Sequence, residues 1–165
     1  MSQVIIEQLK NFLTGHMAHK NFEDAINDFP LSEINTKLNN IPYSFWHLLE
    51  HIRRGQKDIV DYISDPNYKY MNWPDDYWPP RDKEASVDDW NKTIDEIKEL
   101  YKLSKSLIEN KTLEELSRKI EFVEKDHSVL RGILLIIDHN AFHMGQFVTM
   151  RMILGYPSKN KDSPV

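Results

Sequence analysis

Cysteine is absent from the 165 residues. That single absence removes disulfides, thiolate metal sites and a cysteine nucleophile. Glycine is scarce, with five copies, and none of them builds a phosphate-cradling loop or a dinucleotide fingerprint. No Gly-x-Ser-x-Gly nucleophile elbow occurs. No basic block occurs either: the net charge is −5, with Lys, Arg, Asp and Glu mixed along the chain. A surface that tracks nucleic-acid phosphates is therefore not expected. No apolar run approaches the roughly 20 residues that span a bilayer. Met1 to Lys10 lacks the basic-then-apolar pattern of a signal peptide. The expectation is a cytoplasmic protein without membrane or nucleic-acid partners. Nowhere do apolar and polar residues alternate as a strand requires.

What is present reads as helix. Val4, Ile5, Leu9, Phe12 and Leu13 recur at helical spacing from about Ser2 to Thr14, with Gly15 placed to end the run. Phe22, Ala25 and Ile26 suggest a short helix before Pro30, and a second short piece is expected from there to about Leu38. Ser44 is placed to cap a long helix from Phe45 to about Ile63. Asn67 to Ala85 is a connector rich in Tyr, Trp and Pro, which excludes a regular helix interior. Ser86-Val87-Asp88-Asp89 has a capping-box outline and opens a third long helix towards Asn110. Thr112 opens a shorter one, and Asp126 or Ser128 caps a fourth long helix that Gly155-Tyr156-Pro157 stops. The expected fold is all-α: a four-helix bundle with short extra helices and a long aromatic and proline loop after the second long helix. Residues 1–157 form one domain, and 158–165 are a polar tail.

The chemistry centres on Asp138-His139-Asn140-Ala141-Phe142-His143-Met144-Gly145-Gln146. His139 and His143 lie one turn apart on one helix face, beside Ile136 and Phe147. Two such imidazoles can share a divalent ion, although on spacing alone two ordinary helix histidines are the simpler reading. His47 and His51 repeat it on the second long helix, with Gly55 a turn further on, where another backbone or a ligand can come close. If His51 turns inward at the same level, three imidazoles converge, the layout of a metal site with a position left for water or substrate. The paired Glu-x-x-His motifs of di-iron bundles are missing, so the expected site is mononuclear and histidine-based.

Other polar residues have simpler readings. His16 and His19 read as solvated loop residues, and His127 as a solvated residue at a helix start. His47 reads as packing or pocket lining, and Glu50 as a surface residue because it points away from His51. Gln146 has two readings, orienting a ligand or making an ordinary interhelical bond. Arg151 either meets an anionic substrate or favours the helix dipole. The four tryptophans read as core or lid.

The segments DHNAFHMGQFVTMRMILG and PYSFWHLLEHIRRGQKDI resemble the two histidine helices of the DinB/YfiT-like superfamily. The resemblance runs from the GHMAHKNFEDAI segment to Leu154. It implies a four-helix bundle, commonly a dimer, with His51, His139 and His143 as ligands of one divalent metal, usually zinc or nickel. His47 matches no ligand of the family. Characterised members are mostly metal-dependent transferases and isomerases that use low-molecular-weight thiols such as bacillithiol or mycothiol. The implied activity is thiol transfer to an electrophilic small molecule. Metal-dependent hydrolysis and a non-catalytic, metal-binding stress-response module are the alternatives.

Overall fold

The computed structural model of the protein describes residues 2–14 and 18–158. Gly15, His16 and all of the tail but Ser158 lie outside the described residues. The described chain is all-α, with α1 (Ser2–Thr14), α2 (Phe22–Ile26), α3 (Phe45–Ser64), α4 (Val87–Ile108), α5 (Leu113–Ser117) and α6 (Val129–Leu154). Local chemistry sets most of the ends. The Ser44, Ser86, Thr112 and Ser128 hydroxyls each accept a first-turn backbone N–H. Asp89 and Glu115 return the bond to their caps, completing two capping boxes. Gly155 ends α6 in the left-handed conformation, φ 86°.

The helical piece expected from Pro30 to Leu38 shrinks to one 3-10 turn, Leu31–Glu33. Pro30 offers no side-chain cap. The chain beyond the turn bonds elsewhere: the Asn35 amide pairs with both backbone groups of Ala85, and Lys37 bridges Ser44.

The four long helices close a ring. α3 packs on α4 and α6, and α1 packs on the same two helices from the other side. The apolar core falls into two halves. Phe29, Phe45, Trp90 and Phe147 centre one. Ile6, Leu9, Ile63, Ile108 and Ile133 centre the other. The start of α3 meets the end of α6, and Ile63 at its far end meets Gly132, so these helices run antiparallel. Trp46 bonds Thr93 and Gln56 bonds Ser104, so α3 and α4 run parallel.

Parallel neighbours need a connection that returns the full length of a helix, about 30 Å for twenty residues. That geometry accounts for the long aromatic connector. It travels back along α3 and is fastened to it repeatedly: Tyr68 and Tyr77 to Asp58, Arg54 to the carbonyls of Asp76 and Trp78, and His47 to the carbonyl of Pro80. No helix among the described residues is long and apolar enough to cross a membrane.

Candidate metal centre

Between the two half-cores lies a seam of polar residues. On α3 it holds His51, Gly55 and Gln56; on α4, Tyr101 and Ser104; on α6, His139, Asn140 and His143. Antiparallel packing of α3 on α6 brings the histidines of the two helices to one level. His51 Nε2 lies 3.0 Å from His143 Nε2 and 3.3 Å from His139 Nε2. Gly55 makes room for this. A Cβ at that position would sit 2.8 Å from Cε1 and 3.0 Å from Nε2 of His139. The close approach anticipated at this glycine is thus made by an imidazole.

The outer nitrogens set the proton positions. His51 Nδ1 faces the Tyr77 carbonyl at 3.1 Å, an oxygen that can only accept, so Nδ1 carries the proton. His139 is fixed by a longer relay. Ser104 donates to the Leu100 carbonyl, so its oxygen accepts from the Gln56 amide nitrogen. The Gln56 carbonyl then accepts from Asn140 Nδ2 at 2.9 Å, and Asn140 Oδ1 is left to take the His139 Nδ1 proton at 3.1 Å. Tyr101, buried and pushed up to about 12 by desolvation, also receives a bond from Asn140. His143 Nδ1 donates to Gln146 Oε1 at 2.7 Å. With all three Nδ1 atoms engaged, three Nε2 lone pairs point into one small space.

Three facing lone pairs repel unless a cation lies among them. Burial, reinforced by the neighbouring His143, pushes the His51 pKa down to about 4. Burial likewise takes His143 to about 4 and lowers His139. Near neutral pH the rings are therefore uncharged, the form that binds a metal. Two imidazole nitrogens on a tetrahedral zinc at 2.0–2.1 Å stand about 3.3–3.4 Å apart. The observed 3.0 and 3.3 Å suit that geometry after small adjustments. The residues present fit a mononuclear divalent ion.

A helical bundle carrying three imidazoles at metal-ligand spacing is the class of protein that this fold and cluster define. The family comparison agrees: the DinB superfamily model matches residues 16–147, and the chain belongs to that superfamily. No curated protein and no solved structure matches the chain.

The remaining sequence candidates sort out by contact. His47 is not part of the cluster. Its Nε2 donates to the Pro80 carbonyl at 2.9 Å, and its Nδ1 takes the Ser44 hydroxyl at 2.6 Å. Glu50 corrects an expectation: it is buried, 7 % exposed, and accepts bonds from Arg53, Arg54 and Thr93. Pointing away from His51 turned it towards α4, not towards water. Gln146 orients His143. Arg151 is 2 % exposed and donates to the carbonyls of Ala25, Asn27 and Tyr156, so it is a structural cation. His19 is exposed, and His127 shares a bond with the Tyr62 hydroxyl. Trp78 is the lid residue that matters most, stacked on His51 at 4.0 Å and 6°. The Tyr77 carbonyl, Gln56 and Ser104 were not singled out from the sequence. A polar residue recurring in an otherwise apolar helix stripe was the signal available for the last two.

Gly55→Ala tests the close approach. Alanine favours the α3 helix by about 1 kcal/mol over glycine, yet its methyl meets the His139 ring. The expected result is a metal-free protein that still folds cooperatively, with the His139 ring displaced and zinc affinity roughly tenfold or more weaker in chelator competition. Unchanged affinity would contradict the role given to Gly55.

Proposed function

We propose that the protein binds one divalent metal ion, zinc or nickel, through His51, His139 and His143, and transfers a low-molecular-weight thiol such as bacillithiol to an electrophilic small molecule. The observation that carries the metal assignment is the convergence of three Nε2 atoms, at 3.0 and 3.3 Å, whose Nδ1 partners are all engaged. Superfamily membership supports the thiol part. In that reading the sulfur comes from the cofactor, since the chain has no cysteine.

An ion held there favours the thiolate form of a thiol. The chain's own residues do the rest. Tyr77, Asn140 and Gln146 hold the three Nδ1 protons outward and keep the Nε2 atoms aimed inward. Trp78 covers one face of His51, while His139 and His143 are half-buried and within reach of a small molecule. In the transfer the S–H proton passes to solvent, a sulfur–carbon bond forms, and the carbon's leaving group departs.

Metal analysis of tag-free protein tests the first part. Wild type is expected to carry about one ion, and His51→Ala, His139→Ala and His143→Ala to lose most of it; equal content in all four defeats the assignment. Monochlorobimane tests the second. Chloride release and a fluorescent thioether are expected only when thiol and metal are both supplied. Turnover without thiol would point to hydrolysis, and metal binding without turnover of any electrophile to a non-catalytic module.

We also propose a homodimer, formed through the outward face of α6. From Gly132 to Met150 the only charged residue is Asp138. Leu134, Phe142, Met152 and Ile153 are 50–66 % exposed along this helix. Gly145 lies midway, and a Cβ there would meet nothing within 4 Å. Such a face can pair with its own copy about an axis near Gly145. Sedimentation is expected to show a dimer that Phe142→Glu/Ile153→Glu converts to a folded monomer. A monomeric wild type at tens of micromolar would overturn this.

A further inference from the structure

We propose that Asp58 is a positioning residue for the metal centre, acting on His51 through Tyr77. Asp58 lies seven residues beyond His51, two turns along α3 on the same side. It is not one of the three clustered imidazoles, yet its carboxylate grips the connector twice. Oδ1 accepts the Tyr68 hydroxyl at 2.7 Å, and Oδ2 accepts the Tyr77 hydroxyl at 2.7 Å. Burial and this carboxylate together raise the pKa of both phenols, so both keep their protons to donate.

The two tyrosines differ in what they carry. Tyr68 meets Tyr62 and Tyr70 ring to ring, away from the cluster. Tyr77 places its own carbonyl 3.1 Å from His51 Nδ1, and the next residue, Trp78, stacks on the His51 ring. One side chain of α3 thus fixes the piece of connector that sets the proton and the plane of another α3 residue two turns away. Direct bonding from Asp58 to His51 is not needed, because the connector closes the circuit. Arg54, itself held by Glu50, secures the same segment at the carbonyls of Asp76 and Trp78. The Asp58 bond therefore acts at Tyr77 on a stretch of connector that has a second attachment of its own.

This inference rests on the metal assignment above, and the experiment separates the two. Zinc affinity is measured by chelator competition for wild type, Tyr77→Phe, Tyr68→Phe, Asp58→Asn and Asp58→Asn/Tyr77→Phe. Metal-free melting and the cobalt(II) visible spectrum are recorded alongside. Tyr77→Phe and Asp58→Asn are expected to weaken zinc binding roughly tenfold, in the range set by outer partners of metal-bound histidines. Tyr68→Phe is expected to stay within about twofold of wild type, although it too loses a phenol–carboxylate bond and softens the metal-free melt similarly. The double variant is expected to be no weaker than its weaker parent, since both changes break one path. The cobalt spectrum is expected to shift in Tyr77→Phe and not in Tyr68→Phe. Equal affinities for Tyr77→Phe and Tyr68→Phe would overturn the inference while leaving the metal assignment standing. A wild type that binds no metal overturns both.

Discussion

Three neutral imidazole nitrogens facing one another at hydrogen-bond distance is an arrangement a folded chain does not keep for packing alone. Each Nε2 meets another lone pair there in place of a donor. Here the cost is imposed from outside the cluster, because each Nδ1 is tied to an acceptor: a connector carbonyl for His51, a side-chain amide for His139, another for His143. The most remote of these ties begins at the Leu100 carbonyl on α4 and passes through Ser104, Gln56 and Asn140 before it reaches the ring. Among the described residues no buried side-chain nitrogen or oxygen lacks a partner. The outer nitrogens of the three rings thus all have oxygen acceptors, and only the three Nε2 atoms are left facing one another.

The architecture serves the polar seam. Apolar residues gather into two half-cores, one towards each end of the bundle, and the polar groups cross between them. Gly55 allows α3 to present a smooth patch to the His139 ring. The parallel order of α3 and α4 forces a long return crossing, and that crossing delivers Tyr77 and Trp78 to His51. A bundle joined by short hairpins would have no segment available for this. The connector is thus both a consequence of topology and a wall of the site.

Much of this could be read from the chain, and the limits follow from physics. Helix starts are legible because caps are local: Ser44, Ser86 and Thr112 announce themselves within four residues, while the last long helix has two candidates, Asp126 and Ser128, of which Ser128 is the cap. Helical spacing put His139 and His143 on one face, but the choice of His51 over His47 came from family resemblance. Spacing within a helix says nothing about the register of another helix against it. Glu50 shows the same limit from the other side. Its direction relative to His51 was correctly inferred, while the presence of Thr93 and two arginines around it depended on α4 and on the fold of the chain. The short stretch after Pro30 failed as a helix because its polar groups found long-range partners, which no local propensity records.

The most direct measurement is proton and nitrogen NMR of the imidazoles in nitrogen-15-labelled, zinc-loaded protein near neutral pH. Three histidines, assigned to positions 51, 139 and 143, should each retain a proton on Nδ1 and show Nε2 displaced by coordination, with His47 unaffected. Coordination through Nδ1 at any of the three, or fewer than three displaced rings, would contradict the site described above.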